Sequence, residues 1–411
     1  MEDRCISEEQ KKSYKRKRLL LGSDTDFPAA KIRNQRIRFL NPYWSVYKAH
    51  AKARWVGQKL TDIFASEFIS AAPNYIKAAC KMGRIFVNGS PMTNLDYVVQ
   101  NSDLIHHICH RHEHPILAKP IRIISEDENL LVIDKPPSMP VHACGRYRLH
   151  TVIGLLMMEH KIGGLRVLHR LDRTTSGVLL LAKNLKTDHE FKTTLKNGEW
   201  KKEYVCKVDG IFPDGEIICD QPIGTIVPSL GIQCVREDGK PSKTRFRKMW
   251  TDGKTSLVRC FPETGRTHQI RVHLQYLGYP IFKDYYYNTD DWGPKKGKNG
   301  EYGKSYEQLG KDITRSHDRT LWNEPVDDNF FVRTFQGDLE SYLARIKEGD
   351  GDYDEICYSC HTTKKIPPIH HFMMYLHCLR YETSYWSYST DLPEWAKEPN
   401  ASGVDGVECK E

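Results

Sequence analysis

The sequence lacks a long apolar run and an apolar leader. No stretch approaches the roughly 18 consecutive apolar residues that a membrane-spanning helix requires, so we expect no contact with a membrane. The first residues contain no apolar signal core and include four acidic residues, Glu2, Asp3, Glu8 and Glu9. Acidic residues here argue against a secretory signal and against an acid-poor transit peptide. We therefore expect the nucleus or the cytoplasm rather than the mitochondrion.

Closely spaced cysteine pairs are also scarce. Among the 12 cysteines the paired spacing occurs at Cys357 and Cys360, so we expect reduced thiols, as in the cytosol or nucleus. Residues 357–361 match the haem-attachment pattern, but a chain without an export signal is a poor candidate for that chemistry. As half of a zinc site the pair needs two more ligands. We favour free thiols over zinc; the nearby candidate ligands are His361, His370, His371 and Cys378.

A second group of metal-binding residue types lies earlier in the chain and consists of His106, His107, Cys109, His110, His112 and His114. Alternation along a strand would divide these side chains between two faces. No second cluster at a fixed spacing completes four ligands. We therefore predict a polar strand end and a linker closed by Pro115, with no metal ligands.

Length and charge set the scale of the protein. The 411 residues, 39% of them hydrophobic, suffice for two or three domains with a real core. The net charge of +8 suits a polyanionic partner, although a solvated basic surface is the commoner cause. We expect residues 1–42 to form a mobile basic arm. Its run at 11–18 (KKSYKRKR) is a nuclear address, an extra RNA contact or a solvated tail.

Residues 43–115 show the pattern of a small α+β domain. Leu60, Ile63, Phe64 and Phe68 recur at helical spacing, and a second helix is predicted from Asn74 to Gly83. An apolar run at 85–87 leads into Asn-Gly, a hairpin signal, and another strand is predicted at 104–108.

The larger domain is predicted at 116–288. Strands are expected at 122–125, 130–134, 178–182, 203–208, 244–249 and 257–261, and helices at 151–161, from Thr187 to Lys196, and after Thr267 as the N-cap. Because strands and helices do not strictly alternate, we predict an α+β domain around a mixed, mostly antiparallel sheet. Residues 289–368 are predicted to be a polar insertion with one helix at 339–346. Residues 369–411 would complete the domain and form a tail.

The most informative stretch is 169–183 (HRLDRTTSGVLLLAK), a polar turn that leads into a buried strand. Asp172 stands between Arg170 and Arg173, and two guanidiniums favour the ionised carboxylate. Hydroxyls and amides of the turn at 174–177 are expected to fix its rotamer. An ionised carboxylate suits a nucleophile. The competing interpretation is a turn residue in a structural ion pair.

These residues resemble the signature of the RluA family of pseudouridine synthases. Residues 202–204 (KEY) resemble its tyrosine motif, 264–273 (TGRTHQIRVH) its third motif, and 134–142 (DKPPSMPVH) its first. The Trp-containing stretch at 43–57 resembles the eukaryotic RluA-type branch, and 43–115 resembles the S-four-like RNA-binding domain that precedes many such catalytic domains. The resemblance covers about 43–288 and 366–396.

The resemblance implies an isomerase that acts on RNA without a cofactor. Asp172 would act at the sugar of a flipped uridine, by covalent attack or by proton removal. Tyr204 would stack on the uracil, although an aromatic residue in the core is the alternative. Arg271 would hold Asp172 ionised through a bidentate pair. The remaining expected RNA contacts are Lys135, His142, Arg146, Arg148, Arg170, Arg266 and His268.

The RNA itself is expected to be transfer RNA first, then messenger or ribosomal RNA, bound by a monomer. A protein that binds RNA as a chaperone and keeps the fold without catalysis is the alternative. Intact Asp172, Tyr204 and Arg271 weigh against it. A third hypothesis is a nucleoside hydrolase with an Asp nucleophile. Such enzymes often use a metal or a second carboxylate, and no acidic residue stands beside Asp172 in the sequence.

Overall fold

The computed structural model describes residues 27–33, 36–67, 75–317, 323–325, 353–364 and 371–398. The chain divides into two compact units, the first formed by residues 1–115 and 320–366 and the second by 116–319 and 367–411. Within the described ranges, every helix is too short or too polar to cross a membrane.

The strands in chain order are β1 (Ala30–Arg33), β2 (Ile37–Leu40), β3 (Tyr43–His50), β4 (Ile85–Val87), β5 (Ser90–Pro91), β6 (Leu104–Arg111), β7 (Ile116–Leu117), β8 (Arg122–Glu126), β9 (Leu130–Lys135), β10 (Arg166–Val167), β11 (Ser176–Ala182), β12 (Lys201–Asp209), β13 (Glu216–Asp220), β14 (Ile223–Val227), β15 (Ile232–Val235), β16 (Lys243–Thr251), β17 (Thr255–Pro262), β18 (Asn323–Pro325), β19 (Thr362–Lys364), β20 (Leu376–Glu382) and β21 (Ser387–Ser389).

The α-helices are α1 (Leu60–Glu67), α2 (Tyr75–Lys81), α3 (Val152–Glu159), α4 (Leu185–Lys196), α5 (Gln269–Tyr276) and α6 (Tyr306–Ser316). Short 3-10 helices lie at Ala53–Trp55, Asp290–Trp292, Lys298–Gly300, Tyr358–His361 and Glu394–Ala396.

The first unit contains a four-stranded sheet in the order β3-β6-β4-β5, together with α1 and α2. Asn88 and Gly89 form the tight turn between β4 and β5, and both have positive φ angles of 52° and 84°. The core includes Trp55 and Phe64, and Ile356 joins it from the distant second segment. The predicted helices and hairpin are present here. The likeness to an S-four domain stays a prediction.

The predicted basic arm at 1–42 contains structure at its end. β1 and β2 pair as an antiparallel hairpin, with Ala30 opposite Leu40 and Arg33 opposite Ile37. This hairpin was not predicted, because its strands are only four residues long and rich in Lys and Arg, and lysine is depleted in strands. The basic run at 11–18 lies outside the described residues.

The second unit is built on a ten-stranded sheet. Eight strands follow the order β13-β16-β17-β12-β20-β11-β9-β8, β10 pairs with β11, and β21 pairs with β20. The pairing of β11 with β20 is parallel, and the other pairings along this order are antiparallel. The predicted α+β class with a mixed, mostly antiparallel sheet is confirmed. The central strands β9 and β11 are nearly continuous apolar runs, as expected for strands buried on both faces.

The predicted insertion at 289–368 does not stay together in the structure. Its first part belongs to the second unit, where Trp292, Tyr302, Leu309 and Ile313 pack in one cluster with Val272 of α5. Its later part, from 320 to 366, is assigned to the first unit. The polar composition concealed a few large apolar residues that carry the packing. The predicted helix at 339–346 lies outside the described residues.

Two predicted helix caps move by a few residues. The side chain of Asn184, not Thr187, caps α4, because Asn184 Oδ1 accepts a hydrogen bond of 2.9 Å from the Thr187 N–H. The N-cap of α5 is His268 rather than Thr267, and its backbone is left-handed, with φ of 56°. A left-handed non-glycine residue is uncommon and is often found at functional positions.

Candidate active site

Asp172 lies in the loop that enters β11, where its carboxylate meets two side chains from the start of α5. Arg271 Nη1 donates a hydrogen bond of 3.1 Å to Asp172 Oδ2, and His268 Nε2 lies 3.6 Å from the same oxygen. The Asp172 side chain is 29% exposed, whereas Arg271 is only 4% exposed. The carboxylate is therefore contacted by largely buried side chains of α5 and its N-cap, and it remains partly exposed, so that a substrate can reach it.

Arg271 is itself fixed by a third residue, Asp284. Its Nε and Nη2 donate to the two Asp284 oxygens over 2.7 and 2.8 Å, which is a bidentate, nearly fully buried ion pair. The guanidinium also lies 4.7 Å from the ring centre of Tyr287. Asp284 Oδ1 accepts further hydrogen bonds from the backbone N–H groups of Tyr286 and Tyr287. The bidentate partner of Arg271 is thus Asp284, whereas the sequence predicted Asp172.

The charges around the site keep Asp172 ionised. Burial alone would raise the pKa of its carboxyl, but the positive charges of His268 (when protonated in acid), Arg271 and Lys135 outweigh that effect and lower the pKa below its ordinary value. Burial lowers the pKa of His268 to about 4, although Asp172 opposes the shift, so this imidazole is neutral at neutral pH. Burial would likewise lower the pKa of Arg271, but Asp284 and Asp172 raise it above normal. Arg271 is therefore the main positive charge beside Asp172 at neutral pH.

Lys135, at the end of β9, forms hydrogen bonds to the loop that follows β9 and to the Asp172 loop. The residue is fully buried, and its Nζ donates to the carbonyl oxygens of Pro136 and Arg173 over 3.0 and 3.2 Å. Burial lowers the pKa of Lys135 to about 7, while the nearby Asp172 carboxylate opposes the shift. The lysine thus fixes the backbone of the Asp172 loop and lies within electrostatic range of the carboxylate.

The conformation of this loop is set by backbone contacts. His169 Nε2 accepts a hydrogen bond of 3.1 Å from the Leu180 N–H, and Arg173 Nη2 donates to the His371 carbonyl over 2.8 Å. The Thr175 N–H donates to the backbone carbonyl of Asp172, not to its carboxylate. The predicted role of the turn in fixing the carboxylate is therefore replaced by a role in fixing the backbone.

Tyr204 lies in the same end of the sheet as Asp172. Register places Gly177 of β11, Cys378 of β20 and Tyr204 of β12 side by side. With adjacent strands about 4.8 Å apart, the Tyr204 Cα lies roughly 10 Å from the Gly177 Cα. The Tyr204 hydroxyl is 2.7 Å from that of Tyr381, and burial raises the pKa of Tyr204 well above normal. The phenol is consequently protonated at neutral pH.

The sequence of this chain is similar to those of known proteins. Residues 129–276 match the RNA pseudouridylate synthase family. The uncharacterized protein K07E8.7 of Caenorhabditis elegans is 54% identical over 88% of this chain and 85% of its own length. Pseudouridylate synthase RPUSD2 of Mus musculus is 36% identical over 88% of this chain and 72% of its own. The mitochondrial tRNA pseudouridine(32) synthase of Saccharomyces cerevisiae is 36% identical over 88% and 77%, respectively.

The chain belongs to the RluA-type RNA pseudouridine synthases. It is an isomerase that converts uridine to pseudouridine in RNA. The matched range contains the loop with Asp172, Tyr204 on β12, and Arg271 on α5.

The other predicted RNA contacts of this pseudouridine synthase differ in their exposure. Arg170 is exposed, and its charge, after burial, contributes to the lowered pKa of His142 and of His268. Arg148 and Arg266 are exposed, and Arg266 Nε donates to the Pro241 carbonyl over 3.1 Å. Arg146 lies half-buried in the turn that follows His142.

Sequence reasoning missed two residues of the pseudouridine synthase site. Asp284 fixes Arg271, and the Tyr287 hydroxyl lies 2.8 Å from His268 Nδ1. The available signal was the run KDYYY at 283–287, an isolated acid beside three tyrosines directly after an apolar turn. An acidic residue among aromatics is a candidate for a buried ion pair, because carboxylates are rarely buried unless they are paired.

Proposed function

We propose that Asp172 is the catalytic group that acts at the sugar of the uridine. The observation that carries this proposal is the hydrogen bond from the buried Arg271 to a carboxylate whose side chain is still 29% exposed. Isomerisation breaks the bond from the sugar to the uracil nitrogen, turns the base and forms a bond through a ring carbon. No group is imported and nothing is oxidised, so the reaction itself requires no cofactor. An ionised oxygen serves either covalent attack or removal of a sugar proton.

Arg271 and Tyr204 have supporting roles in this proposal. Arg271 keeps Asp172 ionised and oriented, because its own position is fixed by Asp284. Tyr204 stacks on the detached uracil, with a phenol that is protonated and able to donate. His268 is neutral and offers a hydrogen bond rather than a charge to the flipped nucleotide.

The remaining basic residues would bind the RNA backbone. We propose that Arg170 and His142 contact phosphates next to the flipped uridine, since the charge of Arg170 acts on both His142 and His268. Arg146, Arg148 and Arg266 would contact phosphates farther along the strand. These contacts supply affinity that depends on salt but not on sequence.

Transfer RNA is the substrate that we propose. Support comes from the yeast relative, whose name describes a tRNA pseudouridine synthase and whose identity to this chain is 36%. We also propose that the protein acts as a monomer in the nucleus or cytoplasm. The name of the yeast relative adds the mitochondrion as a competing compartment. Imaging of the tagged full chain distinguishes these compartments, and light scattering after gel filtration measures the mass.

Release of tritium from carbon five of labelled uridine in bulk transfer RNA tests the catalytic role. Wild type should release tritium, and Asp172→Asn should lower the rate by at least about a thousandfold while RNA binding stays within a few-fold. The matched control is Asp391→Asn, because the Asp391 side chain is 94% exposed. Substantial turnover by Asp172→Asn would contradict the role of Asp172. Release from ribosomal or messenger RNA, but not from transfer RNA, would contradict only the proposed substrate.

A further inference from the structure

Four metal-binding side chains converge in the first unit, far from Asp172 in the sequence. They are His110 on β6, His112 directly after β6, and Cys357 and Cys360, at the 3-10 turn of Tyr358–His361. From residue spacing, neither pair was expected to bind a metal, and the two pairs were not expected to meet. In the structure, one ligand atom from each of the four residues lies within 4.8 Å of all the others.

The distances fit a tetrahedral ion. His110 Nδ1 and His112 Nε2 are 3.2 Å apart, and each lies 3.2 Å from Cys360 Sγ. Zinc bonds of about 2.3 Å to sulfur and 2.0–2.1 Å to nitrogen place tetrahedral ligand atoms roughly 3.3–3.8 Å apart. Three of the ligand atoms are therefore nearly at the separations that a four-coordinate zinc site requires, and Cys357 Sγ lies within 4.8 Å of each of them.

The backbone directs the two histidines to one side of an extended segment and brings the two cysteines together in a turn. His110 and His112 are separated by one residue, so extended backbone directs both imidazoles to the same side. The Cys360 N–H donates to the Cys357 carbonyl over 2.9 Å, which closes the turn between the two thiols. The Asp354 N–H lies 3.3 Å from Cys360 Sγ, where it can donate to a thiolate. Such hydrogen bonds orient metal ligands and favour their deprotonated form.

A buried framework holds the turn in place. Arg84 and Asp354 form a bidentate ion pair over 2.9 and 2.8 Å, and their side chains are 2% and 3% exposed. Ile356, between Asp354 and Cys357, is fully buried in the core of the unit. The Trp44 ring lies 5.2 Å from the His110 ring and 4.8 Å from the Arg84 guanidinium. The turn that carries the cysteine ligands is thus held by buried contacts.

We propose that His110, His112, Cys357 and Cys360 form a structural zinc site. All four ligands come from the protein, which is the pattern of a closed structural site rather than a catalytic one. Binding releases the two thiol protons to solvent, and the ion joins the segment at 353–364 to β6. Among the nearby candidate ligands that the sequence offered, His361 instead places its Nε2 2.9 Å from the Glu355 carbonyl. A disulfide between the two cysteines would leave the convergence of the two histidines unexplained.

Zinc content of the full chain tests this proposal. Protein purified under reducing conditions without chelator should contain about one zinc per chain, and titration of the thiols with a mercurial should release it. The double variant Cys357→Ser/Cys360→Ser should retain less than about a tenth of that amount. The matched control is Cys109→Ser, because Cys109 also lies on β6 but its thiol faces the Ser45 carbonyl, 3.6 Å away. The control should keep the wild-type zinc content.

Cobalt tests the ligand set on wild-type protein, so the result does not depend on the folding of a variant. After removal of zinc, Co²⁺ should give the visible bands of a tetrahedral site and the charge-transfer band of thiolate ligands. His112→Ala should weaken binding by about 10- to 100-fold or more. Wild-type protein that contains less than about a tenth of an equivalent of zinc, and takes up neither Zn²⁺ nor Co²⁺, would overturn the proposal. Equal zinc in the double variant and the control would overturn it as well.

Discussion

Asp172 illustrates how a residue acquires its chemistry from distant parts of the chain. Its sequence neighbours Arg170 and Arg173 suggested an ionised carboxylate, yet Arg170 is exposed and Arg173 binds the His371 carbonyl. The cation that contacts Asp172 is Arg271, which is 99 positions away. The lowered pKa of Asp172 agrees with the expected carboxylate, but the contact comes from a residue that is distant in the sequence.

Asp284 provides a test at the scale of one residue. Asp284→Asn removes the charge that fixes Arg271, so we expect kcat to fall by about 100-fold through misplacement of the guanidinium. Loss of one partner of a buried ion pair should also lower the free energy of unfolding by about 3 kcal/mol. Tritium release and urea unfolding measure the two effects.

The matched control for this change is again Asp391→Asn, which should leave both quantities unchanged. RNA affinity, measured by fluorescence anisotropy, should change by less than a few-fold in either variant, because Asp284 is buried behind Arg271. A wild-type kcat in Asp284→Asn would show that Arg271 does not need this partner.

At the scale of elements, β11 joins the core of the sheet to the catalytic loop. Its apolar run from Val178 to Ala182 is fully buried, and its first residues form the parallel pairing with β20. Gly177 makes this pairing feasible. Its φ is +111°, and a Cβ placed on it would lie 2.1 Å from the Cys378 carbonyl oxygen. Only glycine fits this close approach of two backbones.

Gly177→Ala should therefore separate β11 from β20 at the point where the Asp172 loop begins. We expect the free energy of unfolding to fall by about 3 kcal/mol or more, together with loss of turnover. Gly163→Ala is the control, because φ at Gly163 is not positive and a Cβ there would meet nothing within 4 Å. Urea unfolding at equal protein concentration measures both variants. Equal stability of the two would contradict the proposed steric role of Gly177.

In helix α5 the apolar spacing was predicted correctly from the sequence, whereas the N-cap was not. The apolar side chains Ile270 and Leu274 are buried as the helical spacing predicts, and Arg271 reaches Asp172. The cap was wrong because His268 adopts a left-handed backbone and its imidazole lies near Asp172 and Tyr287. Contacts within the site override the local preference for Thr at an N-cap.

Buried histidines contribute to the response of the whole molecule to acid. Burial lowers the pKa of His169 to about 3 and those of His268, His273 and His377 to about 4. In the unfolded chain a histidine has a pKa of about 6.5, so below that pH the unfolded state binds more protons. The contribution of these neutral, buried histidines to the free energy of unfolding should thus be fully present above about pH 6.5. It should decrease as the pH falls toward 4.

Urea unfolding between pH 7 and pH 5 measures this dependence. Each such histidine contributes at most about 1.4 kcal/mol per pH unit within that window. His273→Gln should reduce the slope by up to this amount, since an amide can replace the contacts with Thr244 and the Gln221 carbonyl. The control His189→Gln lies at an exposed position and should keep the wild-type slope. A slope unchanged by His273→Gln would contradict a neutral, buried imidazole.

Features that depend on neighbouring residues could be predicted without the structure. The apolar runs of β9 and β11, the helical spacing of α5, the Asn-Gly turn and the family motifs are all local patterns, and periodicity reports them directly. The fold class and the identities of Asp172, Tyr204 and Arg271 as candidates followed from these patterns.

The contacts between groups that are distant in the chain became visible only in the folded protein. Folding paired Arg271 with Asp284, brought His110 and His112 to Cys357 and Cys360, and divided the predicted insertion between the two units. Each of these outcomes depends on the close packing of segments that are far apart in the chain. Residue spacing along the chain carries no information about such packing, because it is fixed only when the core excludes water and each buried polar group must find a partner within the protein.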